Sequence, residues 1–201
     1  MKIFNIFMLS LLIVGLTSYT DANGTDTDKL FAGLNLSGSG NFVGTLSLIE
    51  EGIDADASNA SLWSLKAKIL GTMDRFDDAY ISYDTAIFLS PLNSSLWVEK
   101  GLLLDRQYRY NESVMSYKNA TIIDPRNAIA WKHMGLAQFN LNYFDDAIGS
   151  LQKSVELNPF DPYGWKYLGR SLEKTGKYEE SREAYKKASD MKPGINTDSY
   201  N

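Results

Sequence analysis

The apolar positions of this chain recur with one long period. Tryptophan occurs at only four positions, each 34 residues after the one before: Trp63, Trp97, Trp131 and Trp165. Aligned on these tryptophans, most of the chain divides without a gap into four units of equal length: 60–93, 94–127, 128–161 and 162–195. Self-similarity at a period of this size is typical of a repeat array, in which each unit is one supersecondary element.

Every unit places small residues and large residues at the same positions. A small residue comes four places after the tryptophan, at Ala67, Gly101, Gly135 and Gly169. A large residue follows in the second half, at Tyr83, Tyr117, Leu151 and Tyr185, and a proline near the end, at Pro91, Pro125, Pro159 and Pro193. Spacings of three and four between such positions predict two amphipathic helices per unit, the second ended by proline. One helix pair cannot bury both of its apolar faces, so adjacent units must stack.

The period and its columns resemble the tetratricopeptide repeat family over residues 60–195. The resemblance implies an all-α fold, a right-handed superhelix (solenoid) of antiparallel helix pairs. It also implies that the first helices of the pairs line a concave groove that binds a peptide or a partner protein, and it implies no catalysis. Ser113 and Ser181 replace the usual alanine and Leu151 replaces an aromatic residue, and these departures leave the expected fold unchanged.

The N-terminal residues, 1–22, have the order of a secretory signal. Lys2 precedes a mostly apolar run over 3–16, and small polar residues follow. Such a run reaches about 21 Å as a helix, short of the roughly 30 Å hydrocarbon core of a bilayer. We therefore predict export to the exterior or the cell surface, with cleavage after Ser18 or Ala22. An uncleaved N-terminal anchor is the alternative, and it is the only predicted membrane attachment.

The segments that flank the four repeats have weaker patterns. Residues 23–59 fit the same phase but place Lys29 where the tryptophan belongs, and we interpret them as a degenerate repeat or cap. Their second half, from Phe42 to Ile53, has a helical pattern. At the other end, residues 196–201 are predicted to be a loose tail.

Sequons for N-glycosylation are frequent along the chain. The pattern Asn-X-Ser/Thr occurs at six positions: Asn23, Asn35, Asn59, Asn93, Asn111 and Asn119. Their number fits an exported, glycosylated chain. Asparagine, serine and threonine also cluster in turns for conformational reasons, which is the alternative explanation.

Composition removes several functional classes. The net charge is -5 and the pI about 4.9, which argues against a nucleic-acid partner. The chain has no cysteine and one histidine, His133, so thiol chemistry and Cys/His zinc sites are excluded. His133 has no companion nucleophile column or metal-ligand spacing. We therefore predict no enzyme activity, no metal and no cofactor.

The predicted groove columns are richer in basic residues than the chain as a whole. On the first helix of the third unit, 100° per residue places Lys132 and Phe139 on the groove face, with His133 at its border. The fourth unit adds Tyr163, Lys166, Arg170 and Lys174. These six groove residues predict a local cluster of four cations beside aromatic surface, which favours an acidic peptide or a free carboxyl terminus.

Two functional classes fit these observations. The first is a noncatalytic binding module, exported or surface-tethered, that presents the groove to a peptide or a partner protein. The second is a cytoplasmic chaperone adaptor, because Lys166 and Arg170 are spaced as in the carboxylate clamp of chaperone-binding family members. That clamp would need lysine or asparagine at positions held here by Ser64, Val98 and Leu102.

Overall fold

The computed structural model describes residues 42–192, which form α-helices joined by short turns and contain no β-strand. In chain order the helices within this range are α1 Phe42–Ala55, α2 Ala60–Thr72, α3 Phe76–Leu89, α4 Ser94–Arg106, α5 Tyr110–Ile123, α6 Ala128–Asn140, α7 Phe144–Leu157, α8 Pro162–Lys174 and α9 Tyr178–Met191. The helix predicted over 42–53 is present as α1. The predicted signal over 1–22, the first half of the degenerate repeat and the tail over 196–201 lie outside the described residues.

From α2 onward the helices start and end at the same place in every 34-residue unit. The reason for the common start is a capping column formed by Asn59, Asn93, Asn127 and Asp161. In each case the side-chain oxygen accepts a hydrogen bond from a backbone N–H in the first turn of the helix. These N–H groups have no partner within the helix, so each cap stabilises a first helix by about 1 kcal/mol.

The turn between the two helices of each repeat passes through the left-handed backbone region. The residues concerned are Asp74 (φ 58°), Tyr108 (φ 60°), Asn142 (φ 63°) and Gly176 (φ 77°). This conformation closes the first helix and reverses the chain within three residues. The second helix can therefore pack back along the first.

The chain divides into two compact units, Met1–Pro91 and Leu92–Asn201. In the described part of the first unit, α1 packs on α2 and α2 packs on α3. Its core is formed by side chains that are almost completely buried: Ile49, Leu62, Leu70 and Tyr83.

The second unit contains α4 to α9, and each helix packs on the next along the chain. The first helices of successive repeats also contact each other, α4 with α6 and α6 with α8. One apolar cluster contains Tyr117 and Met134, and another contains Leu151, Leu168 and Leu172. The candidate groove residues all belong to this unit.

The small residues four places after each tryptophan, which we call the small column, are required because the two helices of a repeat approach each other closely there. A Cβ atom added at Gly101 would lie 2.6 Å from Cε1 of Tyr117, and one added at Gly135 would lie 2.6 Å from Cγ of Leu151. Both distances are far below the 3.5–4.0 Å of an ordinary carbon contact. Gly149, on the exposed side of α7, has no neighbour within 4 Å at its Cβ position and carries no such requirement.

Candidate functional site

The strongest concentration of predicted groove residues lies on α8. Lys166, Arg170 and Lys174 follow one another at intervals of four, so they occupy one side of the helix. We call these three residues the basic row. Lys174 is exposed, while Lys166 and Arg170 are half-buried.

Arg170, in the middle of the basic row, is held against two aromatic rings. Its guanidinium carbon lies 4.8 Å from the ring centroid of Phe139 on α6 and 5.4 Å from that of Tyr167. The rings of Phe139 and Tyr167 meet edge to face with their centroids 6.0 Å apart, and the ring of Phe144 also meets Phe139 edge to face, at 5.4 Å. Cation–π contacts of this kind attract and orient the guanidinium.

Phe139 is not the open groove surface that helical projection predicted. Its side chain is only 9% exposed and belongs to the apolar core of the second unit. An isolated helix wheel places it opposite the packed face, but Phe144 and Tyr167 cover it from the following helices. Phe139 contributes to the site through its ring, which attracts the Arg170 guanidinium.

Lys132 is also placed in the candidate site, but its charge is already paired. Its Nζ lies 2.7 Å from Oδ2 of Asp161, and both side chains are largely shielded from solvent. The other oxygen of Asp161 accepts the backbone N–H of Tyr163 at 3.0 Å. One carboxylate thus caps α8 and ties it to α6, and the predicted cluster of four cations reduces to the three of the basic row.

The basic row itself is free of acidic partners among residues 42–192. Glu173, the acidic residue next to Lys174 on α8, accepts a hydrogen bond from the Tyr185 hydroxyl at 2.8 Å. Within the same range, no salt bridge involves Lys166, Arg170 or Lys174. Their charges are therefore available to a ligand.

Tyr163 marks the N-terminal end of the basic row. Its side chain is 45% exposed. The Lys192 ammonium donates a hydrogen bond to its hydroxyl and lies 4.7 Å from its ring centroid. This hydrogen bond, with the positive charge of Lys192, lowers the pKa of Tyr163 below its usual value.

His133, on α6, packs against Tyr117 of the preceding repeat. Its ring lies 5.8 Å from that of Tyr117, tilted by 31°. Burial, with a smaller contribution from the charge of Lys132, lowers the pKa of His133 to about 4, and Asp161 opposes this shift. The imidazole is therefore neutral at physiological pH.

A hydrogen-bonded pair next to His133, Tyr117 with Asp105, was not predicted from the sequence. The Tyr117 hydroxyl donates a hydrogen bond to Oδ2 of Asp105 at 2.7 Å, and burial raises the pKa of Asp105. The fourth repeat has the same arrangement, with Tyr185 donating to Glu173. The signal was present in the sequence, because an acid stands twelve residues before the tyrosine in both repeats.

The described residues offer neither a metal cluster nor a membrane span. No group of three or more His, Asp or Glu side chains within 42–192 is arranged to hold a metal ion. Over the same residues, no helix has the length and apolarity needed to cross a bilayer.

Four of the six predicted glycosylation sites fall in the described part of the chain. Asn59 and Asn93 are the N-caps of α2 and α4, and their side-chain oxygens accept backbone N–H groups. Asn111 lies exposed in the first turn of α5, and Asn119 lies half-buried further along the same helix. Helix capping is thus a physical reason for two of the sequons. Asn23 and Asn35 lie outside the described residues.

The repeated helix pairs make this chain a helical-repeat protein, and the candidate site lies on the first helices of the pairs. Residues 133–194 match a family model described as Tetratricopeptide repeat. The predicted fold class, all-α and built as a solenoid of paired helices, is confirmed.

Three solved structures illustrate the likeness. A structure described as MamA 41-end from Desulfovibrio magneticus RS-1 has a TM-score of 0.74 and 16% identity, covering 88% of this chain and 99% of that one. A second, described as the crystal structure of MamA, has a TM-score of 0.72 and 18% identity, covering 86% and 95%. A third, described as the functional characterization of Pseudomonas aeruginosa PilF, has a TM-score of 0.73 and 20% identity, covering 83% and 76%. At such identities the similarity concerns the fold. No curated protein sequence matches the chain.

Proposed function

We propose that this chain is a noncatalytic interaction module, exported or tethered at the cell surface, that binds an acidic peptide segment of a partner protein along the basic row. The observation that carries the proposal is the set of three cations on one side of α8 with no acidic partner among residues 42–192. The fold supports it because first helices of tetratricopeptide-type pairs offer a continuous face to an elongated ligand.

The spacing of the basic row suits an extended peptide. Residues four apart on a helix are separated by about 6 Å along its axis. Alternate residues of an extended strand are separated by about 6.6 Å. A peptide with carboxylates at every second position would therefore place successive acids near Lys166, Arg170 and Lys174.

Arg170 is the expected centre of recognition. Its contacts with Phe139 and Tyr167 restrict the guanidinium before any ligand binds. A restricted guanidinium loses less conformational entropy when it makes a two-point contact with a carboxylate. Tyr163 adds partly exposed aromatic surface beside it.

The proposed location rests on the N-terminal apolar run and the sequons, and it has a separate test. Mass spectrometry of the mature protein, purified from extracellular or envelope fractions, is expected to show loss of the first 18 or 22 residues or retention of an N-terminal anchor. A cytoplasmic protein that retains Met1 would contradict export and leave the binding proposal standing. The chaperone-adaptor alternative gains no support, because Val98 is only 6% exposed and offers no polar group.

The binding proposal is tested with a charge-reversed variant and a matched control. The probe is a labelled peptide, acetyl-Glu-Gly-Glu-Gly-Glu-amide, titrated against the full chain by fluorescence anisotropy at low salt. Lys166→Glu/Arg170→Glu should weaken binding by about 1 to 3 kcal/mol, because contacts are lost and the new charges repel the peptide. The control, Lys118→Glu/Lys186→Glu, makes the same change in net charge at exposed positions of α5 and α9.

The two variants distinguish a site from a general charge effect. Nearly unchanged binding by the control and a large loss in the α8 variant would support the basic row. Equal losses in both, or no binding of the acidic peptide by the wild type, would refute it.

A further inference from the structure

A second candidate site lies away from the basic row, in a pocket of about 290 Å³ lined by α7, α8 and α9. Its apolar lining comes from Val155, Trp165, Leu168, Leu172 and Ala184. Four of these side chains are otherwise buried, and Trp165 is half-buried. Because those four side chains are nearly inaccessible, Trp165 supplies most of the apolar surface open to a ligand, and covering that surface with an apolar side chain is favourable.

The rim of this pocket is acidic. Glu156, Glu180 and Glu183 line it together with Lys187. Glu156 is paired with Lys153 at 3.0 Å, whereas Glu180 and Glu183 form no salt bridge with any residue in 42–192. Glu180 lies in the first turn of α9, where a negative charge stabilises the helix, whereas Glu183 lies beyond that turn and is repelled by Glu180 three residues away.

Lys187, the one cation on the rim, is held by an aromatic ring. Its Nζ lies 4.1 Å from the ring centroid of Trp165. The indole N–H donates to the carbonyl of Pro159 at 2.8 Å, which fixes the ring in place. Because Lys187 occupies this ring, a ligand cation is attracted to Glu180 and Glu183 and not to the indole.

The repeat architecture accounts for only one of the three glutamates. One repeat earlier, the positions that correspond to Glu156, Glu180 and Glu183 hold Ile122, Asp146 and Gly149. Glu156 and Glu183 thus have no acidic counterpart one repeat earlier, whereas the position of Glu180 is acidic in all four repeats. An acidic rim around an apolar lining is complementary to a basic and apolar ligand.

We infer that this pocket docks a partner segment in which an apolar side chain is flanked by lysine or arginine. The apolar side chain contacts Trp165 and Leu168, and the flanking cations approach Glu180 and Glu183. The inference does not depend on the acidic-peptide site, because the two ligands have opposite charge and none of the basic-row residues lines this pocket.

The test uses the peptide acetyl-Gly-Lys-Leu-Lys-Gly-amide and its acidic counterpart, in which glutamate replaces both lysines. Binding to the full chain is followed by NMR through the four tryptophan indole N–H signals, assigned with single Trp→Phe variants. The basic peptide should shift the Trp165 signal most, and the acidic peptide should leave it in place. Glu180→Lys/Glu183→Lys should raise the dissociation constant of the basic peptide about tenfold or more.

The matched control is Glu179→Lys/Asp190→Lys. It reverses two exposed acids on the same helix, one of them also in the first turn, and neither residue lines the pocket. A change of less than about twofold is expected in this control. The inference is overturned if the control loses as much affinity as the rim variant, if the acidic peptide shifts Trp165 equally, or if neither peptide shifts it.

Discussion

Replacing Gly101 by alanine should destabilise the protein, although alanine is the better helix former. Inside a helix the exchange alone is worth about 0.8 to 1 kcal/mol in favour of alanine. At Gly101 the new Cβ lies 2.6 Å and 2.8 Å from two ring atoms of Tyr117. That ring is fully buried, and its hydroxyl is hydrogen-bonded to Asp105, so it cannot move away freely.

The expected size of the effect follows from two opposing contributions. Forcing a methyl group into a packed core costs about 1 to 3 kcal/mol. After the gain in helix propensity, Gly101→Ala should lower the free energy of unfolding by up to about 2 kcal/mol. Gly149→Ala keeps the gain without the clash, since nothing lies within 4 Å of its Cβ position, and it should be stabilising.

Urea denaturation of both variants and the wild type, followed by circular dichroism at 222 nm, measures the difference. Because both exchanges are Gly→Ala inside a helix of the second unit, helix propensity cancels between them. A Gly101→Ala protein at least as stable as Gly149→Ala would refute the close-approach explanation of the small column.

Substitutions at three further positions test other contacts, each by denaturation of the full chain. Trp131→Ala should cost about 3 kcal/mol, because it removes a large, partly buried aromatic side chain packed on the core and the indole hydrogen bond to the Pro125 carbonyl at 3.0 Å; an unchanged midpoint would contradict stacking. The pKa of His133 falls from 6.5 to about 4, so its contribution is complete above pH 6.5 and is lost as pH falls toward 4. Wild type should therefore lose about 2 to 3 kcal/mol more than His133→Gln between pH 7 and 4.5, and parallel pH profiles would refute this. Asp161→Asn should lose only the ion pair with Lys132, whereas Asp161→Ala should lose the helix cap as well and cost about 1 kcal/mol more; equal losses would contradict the double role.

The helices of the four repeats could be predicted from the sequence because their signals are local. The Asn or Asp caps, the small column and the proline near the end of each unit all act within about a dozen residues. Since the same signals recur in four units, accidental matches in one unit are outweighed by the others. The helix predicted from Phe42 is present as α1, so the apolar pattern identifies a helix even in the degenerate repeat.

The arrangement within the candidate site was only partly predictable. A helix wheel assigns faces to one helix and cannot show what neighbouring helices cover, which is why Phe139 was expected to be open. The pairing of Lys132 with Asp161 joins residues 29 positions apart on different helices. It could have been inferred from the capping column, because Asp161 is the only acid among four caps and the preceding repeat places a lysine opposite it.

The contact between small and large columns has a consequence for building new proteins from these repeats. The chain uses Ala67 with Tyr83 and Gly71, Gly101 with Tyr117 and Asp105, and Gly135 with Leu151 and Phe139. The first two positions are in close contact in the repeats of Gly101 and Gly135, and phenylalanine at the third position occurs only together with Leu151, not with a tyrosine. A designer who combined that phenylalanine with the tyrosine of the other repeats would join side chains that this chain keeps apart. If the three residues of one repeat are moved together into a new protein, they should remain compatible with the backbone. Residues chosen one position at a time should not.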